Sequence, residues 1–212
     1  MKNYDNVTIF DHPLINHKIA ILRDEKTSMK EFRELIEEIT TLMTFECLKE
    51  DVPTVECQVT TPLETCTQYK VKDDSIVIVP ILRAGLGMVD GLTELMPSAR
   101  IGHIGMYRDE ETCQPVFYYY KMPPGKDRMV IVTDPMLATG GSAIDAVSQI
   151  KLRNPRSIRF MGIIAAPEGL DALAKAHPDV DIFLASLDEK LNDHCYIIPG
   201  LGDAGDRIFG TK

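Results

Sequence analysis

Residues 129–142 read MVIVTDPMLATGGS, and this stretch decides the predicted fold. Its first five residues are apolar or β-branched without interruption, which is typical of a strand buried on both faces. Two adjacent glycines, Gly140 and Gly141, then lead into a helix-like segment at 142–152. The stretch therefore predicts a buried strand, a tight loop and a helix in direct succession.

The same alternation recurs on both sides of this stretch. Apolar runs at 76–82, 158–166 and 182–185 are interleaved with helix-like segments at 86–96 and 170–176. Such an alternation predicts an α/β doubly wound fold, in which a mainly parallel sheet is flanked by helices. In these sheets ligands bind beyond the carboxyl ends of the strands, close to a switch in strand order. The residues directly after each apolar run are therefore the candidates for a site.

Two segments lie outside this alternation. A helix is predicted from about residue 29 to residue 49, because Ser28 and Glu31 have capping-box spacing and an apolar stripe of helical period follows. We expect this helix to pack or to contact another subunit. The segment 106–121 combines RDEE with FYYY and is too polar for a core strand. It predicts a small β-arm or mobile lid, whose tyrosines either pack against protein or stack on a nucleobase.

Composition limits the classes of function. The formal net charge of −9 argues against broad nucleic-acid binding, because phosphate backbones require a basic surface. No apolar run is long enough to cross a bilayer and the first residues are polar, so we expect a cytoplasmic protein without membrane contacts. The five cysteines are scattered and the histidines form no cluster, which argues against a disulfide framework and a protein-held transition metal.

The loop after the run at 129–133 carries the sharpest chemical signal. Unpaired backbone N–H groups and the helix dipole favour an anion at the start of a helix, and glycines let a loop turn its amides inward. Thr139 and Ser142 add hydroxyl donors, and the absence of lysine separates this loop from the nucleoside-triphosphate loop. Asp134 fits beside a phosphate if it accepts hydrogen bonds from the hydroxyls of the same sugar. The alternative is a plain strand-to-helix turn with Ser142 as N-cap.

Two further loops are candidates. Residues 80–87, PILRAGLG, follow an apolar run, and Arg83 could bind an anion together with the backbone of its small neighbours; the alternative is a surface arginine at a strand end. Residues 196–207 contain three glycines and a proline, which excludes regular structure and exposes backbone groups able to recognise a flat heterocycle. Asp203 and Asp206 in this tail could bind magnesium through water.

Five stretches, taken in order, resemble the uracil phosphoribosyltransferase family over essentially the whole chain. They are PILRAGLG at 80–87, GMYR at 105–108, DPMLATGGS at 134–142, AAPEG at 165–169 and the tail at 196–212. The resemblance implies transfer of the 5-phosphoribosyl group from 5-phospho-α-D-ribose 1-diphosphate (PRPP) to N1 of uracil, giving UMP and diphosphate in pyrimidine salvage. It also implies Mg²⁺ delivered as the Mg–PRPP complex, a GTP activator in some members, and a homodimer or higher homo-oligomer.

The same resemblance assigns the site residues. PRPP is bound by Arg83, Arg108, Asp203 and the loop of Asp134, Pro135, Met136, Leu137, Ala138, Thr139, Gly140, Gly141 and Ser142. In that loop, residues 138–142 hold the 5-phosphate and Asp134 meets the ribose hydroxyls, whereas the arginines contact diphosphate. Main-chain groups of Ile197, Gly202, Asp203 and Ala204 match the uracil site. The candidate catalytic residues are Arg83, Arg108 and Asp203, the last either assisting deprotonation of N1 or only positioning ligands.

The predicted organisation is a single domain over 1–212, with N-terminal helix and packing elements at 1–74, a flexible arm at 106–122 and a base-binding tail at 195–212. The wider phosphoribosyltransferase class often has two adjacent acids where this loop has Asp134 and Pro135, which puts direct metal ligation by the protein in doubt. Three rivals stay open: transfer to another base such as adenine or orotate, an RNA-binding regulator on the same fold, and a non-catalytic nucleotide sensor. The net charge speaks against the regulator, and the presence of Arg83 and Asp134 speaks against the sensor.

Overall fold

A computed structural model describes residues 4–108 and 115–211 of the chain. The helices found there are α1 Pro13–Arg23, α2 Met29–Cys47, α3 Val89–Leu95, α4 Gly141–Lys151, α5 Pro167–Ala176 and α6 Ala204–Phe209, with a 3₁₀ turn at Ala84–Met88. The strands are β1 Val7–Ile9, β2 Thr54–Thr60, β3 Thr65–Val71, β4 Ile76–Leu82, β5 Arg100–Ile101, β6 His103–Arg108, β7 Pro115–Lys121, β8 Met129–Thr133, β9 Met136–Leu137, β10 Ser157–Ala165, β11 Asp181–Leu187, β12 Lys190–Leu191 and β13 Ile197–Ile198.

One large sheet organises the described residues. Its strands follow the order β1-β11-β10-β8-β4-β6-β7, with β5 beside β4 and β9 beside β10. Neighbouring strands are parallel except for β6 and β7, which pair antiparallel. All of β8 and nearly all of β4 are buried, as continuously apolar strands require. The prediction of a mainly parallel sheet flanked by helices is confirmed.

Helices cover both faces of this sheet because successive side chains of a strand point to opposite faces. Ile76 and Ile78 of β4 pack into a core formed with α1, α2, α3 and α6. Val77 and Val79 pack into the opposite core, formed with α4 and α5. Each fully buried aliphatic side chain of this kind contributes roughly 1.5–3 kcal/mol. Two separate cores thus fix the sheet between two helical layers.

The strand order reverses between β4 and β8. From β4 the chain runs outward to β6 and β7, then returns to β8 on the other side of β4 and continues to β10 and β11. The carboxyl ends of β4 and β8 are therefore neighbours at the switch point, where doubly wound sheets bind ligands. These are the ends at which the sequence placed the loops 80–87 and 134–142.

The predicted long helix is confirmed as α2. The side chain of Ser28 accepts a hydrogen bond from the N–H of Glu31 at 3.2 Å, and the helix ends at Cys47, two residues before the predicted boundary. The helix predicted at 86–96 is partly wrong, because its first residues lie in the 3₁₀ turn and only Val89–Leu95 is α-helical. Two glycines, Gly85 and Gly87, lie in that turn, and glycine disfavours the α-helix.

Three pairs of strands in the described residues are antiparallel: β6 with β7, β2 with β3, and the short strands β12 and β13. The predicted β-arm at 106–121 is present as β6 and β7, with a register shift between Gly105 and Met106, whereas 109–114 lies outside the described residues. Its mobility stays a prediction. The second pair, β2 with β3, is an exposed hairpin that the sequence analysis missed. Within the described residues, no helix combines the length and the apolar character needed to cross a bilayer.

Candidate active site

The loops after β4 and β8 contact each other at the switch point. The hydroxyl of Thr133 donates a hydrogen bond to the carbonyl oxygen of Gly85 at 3.2 Å. A Cβ atom at position 85 would lie 2.3 Å from the carbonyl oxygen of Thr133, so this approach requires glycine. Two of the predicted anion-binding loops are therefore parts of one surface.

The loop at 134–142 turns sharply into α4. The N–H of Met136 donates to Oδ1 of Asp134 at 3.4 Å, and the short strand β9 that follows pairs with β10. Gly140 is the N-cap of α4 in the left-handed conformation, with φ of 85°. The alternative reading, in which Ser142 caps the helix, is wrong. Because a glycine cap has no side-chain acceptor, it leaves the N–H groups of the first turn for another partner, as an anion site requires.

The segment at 165–169 packs its backbone directly against this loop. The N–H of Ala166 donates to the carbonyl oxygen of Leu137 at 3.0 Å. A Cβ at Gly169 would lie 2.3 Å from the carbonyl oxygen of Ala138, and one at Gly140 would lie 2.8 Å from that of Gly169. The backbones of α5 and of the loop therefore touch without side chains between them. This contact gives a structural reason for the AAPEG stretch.

Arg83 is the first residue of the loop after β4, and its side chain faces the C-terminal tail. A cis peptide bond joins it to Leu82. Its side chain is 54% exposed, and Nη2 is 3.7 Å from Oδ1 of Asp206. The guanidinium also lies over the ring of Phe209, 5.9 Å from its centroid. An exposed ion pair of this length contributes little to stability. Arg83 is thus oriented by the tail while its donors stay accessible to a ligand.

The C-terminal tail is more regular than its glycines predicted, so the expectation that 196–207 excludes regular structure is wrong. Ile197–Ile198 form β13, which pairs with β12, and residues from Ala204 onward form α6. The reason is local: the side chain of Asp203 accepts a hydrogen bond from the N–H of Asp206 at 2.9 Å and caps α6. Gly200 and Gly202, with φ of 66° and 82°, make the turns that precede this cap.

Three buried or partly buried side chains, whose contacts the sequence analysis did not predict, hold this tail. Asp188 accepts a hydrogen bond from the N–H of Gly200 at 2.9 Å, and Arg23 donates to the carbonyl oxygen of Gly200 at 2.7 Å. Arg207 donates to the carbonyl oxygens of Leu201 and Leu22 at 2.8 and 2.9 Å. Burial lowers the pKa of Arg207 below the usual arginine value.

The structure brings most of the predicted residues to one edge of the sheet. Thr133, the residue before Asp134, contacts Gly85 in the loop of Arg83. A Cβ on Gly205 would lie 3.9 Å from Nη2 of Arg83, which places the start of α6 beside that arginine. Ile197 is buried, whereas Gly202 and Asp203 are exposed. Only the main chain of Arg108 is described; it ends β6, the strand next to β4, and so lies at the same edge.

The carboxylates near this edge do not form a metal cage. Among residues 4–108 and 115–211, no three His, Cys, Asp or Glu side chains are grouped so that they could hold a metal ion. Asp203 is engaged as a helix cap, and Asp206 lies beside Arg83. This donor set fits a magnesium ion that is carried by the oxygens of a substrate, and it does not fit one held by protein ligands alone.

Comparison with known proteins identifies a family model and relatives that carry the same family name. The family model described as uracil phosphoribosyltransferase matches residues 9–211. Proteins named uracil phosphoribosyltransferase from Geobacillus sp. (strain WCH70) and Oceanobacillus iheyensis are each 57% identical, over 97% and 98% of this chain and 99% of their own lengths. A solved structure from Aquifex aeolicus has a TM-score of 0.93 at 38% identity, covering 97% of this chain and 99% of that one.

A more distant solved structure is similar in fold alone. The purine phosphoribosyltransferase of Pyrococcus horikoshii has a TM-score of 0.50 at 15% identity, over 73% of this chain and 83% of that one. The similarity covers the sheet-and-helix architecture and carries no information about the base that binds.

Proposed function

This chain belongs to the uracil phosphoribosyltransferase family, and from that premise we propose that it transfers the 5-phosphoribosyl group of PRPP to N1 of uracil, giving UMP and diphosphate. The observation that carries the proposal is the meeting of three loops at the switch point of the sheet. The loop after β8 offers a glycine-capped helix start, the loop after β4 offers Arg83, and the tail offers exposed backbone beside that arginine.

The ribose 5-phosphate is assigned to the loop at 134–142. Residues 138–142 lead into α4, whose first-turn N–H groups and helix dipole favour a phosphate. Asp134 stands at the other end of the loop, directly after β8, and is assigned to the ribose hydroxyls. The close backbone contact with Gly169 keeps the loop rigid, because neither backbone can move without displacing the other.

The diphosphate is assigned to Arg83 and Arg108. Breaking the bond between C1 and diphosphate leaves positive charge on the ribose and negative charge on the leaving group. Guanidinium groups stabilise such developing charge, and their fork of donors fits phosphate oxygens. Magnesium bound to PRPP would supply further positive charge to the same oxygens. Uracil held on the opposite face of the ribose would attack with inversion, so positioning supplies much of the rate.

Uracil is assigned to the tail, where main-chain groups of Ile197, Gly202, Asp203 and Ala204 recognise the edge of the base. Oδ1 of Asp203 already accepts the N–H of Asp206. We therefore assign Asp203 a positioning role first, since it fixes the start of α6 beside Arg83 and leaves its second oxygen for PRPP. Deprotonation of N1 by this carboxylate is the alternative.

Product analysis tests the activity. The purified chain is incubated with PRPP, magnesium and each of uracil, cytosine, hypoxanthine, adenine and orotate, and the nucleotides are separated by chromatography. UMP from uracil, without comparable product from the other bases, is the expected result. Absence of UMP, or a faster reaction with another base, would overturn the proposal.

The role of the arginines is tested separately. Arg108→Ala should reduce kcat by about 100-fold, the size found when one donor that stabilises transition-state charge is removed. The affinity for uracil should change little, because uracil is assigned to the tail. Equal losses in turnover and in uracil affinity would contradict a role at the leaving group.

Further properties are proposed on the same footing. UMP formation with and without GTP tests for an activator, and sedimentation tests for a homodimer or larger homo-oligomer. A single cooperative unfolding transition is expected if 1–212 is one domain.

Limited proteolysis tests whether the arm closes as a lid. PRPP should suppress cleavage between Asp109 and Gln114, and unchanged cleavage would count against closure. Fractionation of cells tests the cytoplasmic location.

A further inference from the structure

We propose that the partly buried ion pair of Arg23 and Asp188 is a positioning device for the base-reading tail, and that it affects the use of uracil more than the binding of PRPP. Neither residue is among those assigned to substrate above. The inference rests on the proposed function, because it concerns the tail to which uracil is assigned.

The ion pair binds both backbone polar groups of Gly200, which belong to the two successive peptide groups on either side of its Cα. The Asp188 side chain is 2% exposed, and its two oxygens accept from the two Nη atoms of Arg23 in a bidentate pair. Oδ2 of Asp188 also accepts the N–H of Gly200 at 2.9 Å, and Nη1 of Arg23 donates to the carbonyl oxygen of Gly200 at 2.7 Å. Both polar groups of this glycine are therefore bound to the same two side chains.

Gly200 occupies the turn between the two parts of the assigned uracil site. Ile197 lies before it, and the stretch 202–204 follows it. The turn is tight, since a Cβ at position 200 would lie 2.2 Å from the carbonyl oxygen of Ile197. Recognition of a base edge by backbone requires peptide groups in fixed orientations. Fixing the two peptide groups that flank the Cα of Gly200 therefore fixes the spacing between the groups that precede and follow the turn.

Stability alone does not account for a partly buried charge pair at this place. The desolvation of two charges often offsets their attraction, and apolar pairs of similar volume can be as stabilising. Charge-assisted, bidentate hydrogen bonds have a narrow geometry, however, and they hold the groups they contact in that geometry. A pair that also binds both sides of a functional turn therefore has a geometric role.

The pair acts on the tail and does not contact the phosphate loop. Arg23 is the last residue of α1, and Asp188 follows β11. The loop at 134–142 is held by different contacts, which come from β10 and α5. Arg207 strengthens the link between tail and α1, because it donates to Leu201 on one side and to Leu22 on the other. Changing the two side chains should therefore disturb the uracil half of the site more than the phosphate loop, whose own contacts stay in place.

The test uses two conservative variants. Arg23→Lys keeps the positive charge but loses the bidentate fork, and Asp188→Asn keeps an acceptor for Gly200 but loses the negative charge. Steady-state rates are measured with uracil and with PRPP as the varied substrate, and PRPP binding is measured alone by calorimetry. We expect kcat/KM for uracil to fall by about 10- to 100-fold, as loss of a hydrogen bond to a charged group implies. The Kd for PRPP should change by less than about threefold.

Arg100→Lys is the control for the loss of a bidentate arginine fork. Arg100, in β5, also makes a bidentate pair with a carboxylate, that of Asp74, but this pair is exposed and lies away from the tail. The control variant should leave both substrate efficiencies unchanged. A loss of uracil efficiency in this variant as large as that in Arg23→Lys would show a general effect of ion-pair loss and would overturn the proposal.

A double variant separates positioning from folding. Arg23→Leu with Asp188→Leu removes both charges of the pair together, so it should remain folded even if a single variant does not. It should still lose uracil efficiency, because the N–H and the carbonyl oxygen of Gly200 have lost their partners. Wild-type uracil efficiency in this variant, or equal losses for uracil and PRPP in any folded variant, would overturn the positioning role. Failure of the wild-type chain to make UMP would instead overturn the proposed function.

Discussion

Substitution of Gly169 by alanine should damage the phosphate loop although residue 169 has no side chain in the site. A Cβ at this position would lie 2.3 Å from the carbonyl oxygen of Ala138 and 2.7 Å from that of Leu137. Carbon and oxygen atoms that are not hydrogen-bonded through N–H approach to about 3.3 Å. Either α5 or the loop must therefore move by roughly 1 Å.

This movement should lower both the stability of the fold and the rate of the reaction, and the loss of rate should be the larger effect. Overpacking of this kind costs about 1–3 kcal/mol of the free energy of unfolding. At roughly 2–4 °C per kcal/mol for a chain of this length, Tm should fall by about 2–12 °C. A displacement of about 1 Å in a loop that positions a substrate costs on the order of 100-fold in rate. We therefore expect kcat/KM for PRPP to fall about 100-fold in a protein that still folds.

Gly91→Ala provides the control for overpacking itself. A Cβ at Gly91 would lie 2.5 Å from the carbonyl oxygen of Glu37, at the contact between α3 and α2. Both variants should lose thermal stability in a melting experiment, whereas only Gly169→Ala should lose efficiency with PRPP. Normal PRPP kinetics in Gly169→Ala would refute the reasoning, and so would an equal kinetic loss in Gly91→Ala.

Three further predictions concern single side chains. Asp203→Asn keeps a good N-cap and should retain stability while lowering turnover, whereas Asp203→Ala should also lose about 1 kcal/mol in urea unfolding; full turnover in Asp203→Asn would exclude a role for the charge. The hydrogen bond from Lys151 lowers the pKa of Asp179 in the folded state, so this carboxylate stabilises the fold above pH ~4 and the effect disappears as pH falls through the lowered value. The stability difference between wild type and Asp179→Asn should therefore shrink on acidification, and a difference that grows would contradict the sign. Burial raises the pKa of Cys47 to about 12, so its thiol should resist alkylation at pH 8 until urea unfolds the chain, as read by mass spectrometry.

The core of the fold could be predicted from local patterns, and its edges could not. β4 and β8 are apolar or β-branched along their whole length, and β10 has no charged or polar side chain from Phe160 to its end. Uninterrupted runs of this kind are typical of a buried strand. β1 has only three residues, and its place beside β11 depends on a contact that no local pattern records. The helix α1 does carry a signal, a proline at its first position, that the sequence analysis did not use.

The candidate site also has parts that could be predicted from local sequence and parts that could not. The loop at 134–142 and Arg83 follow buried strands directly, so their positions at the switch point could be inferred. The regular structure of the tail depends on Asp203, whose side chain caps α6. An aspartate is a usual helix cap, but the three glycines of the tail favoured an irregular loop in the prediction. The pair of Arg23 and Asp188 joins residues 165 positions apart, and only the folded chain brings them together.

A crystal structure of the chain with UMP tests the central assignment most directly, since the product carries both the 5-phosphate and the base. The phosphate should accept hydrogen bonds from the N–H groups of residues 138–142, and the uracil edge should contact the main chain of Ile197 and of 202–204. A phosphate bound away from the start of α4, or a base stacked on Tyr118 and Tyr119 of β7 instead of facing the tail, would contradict the account.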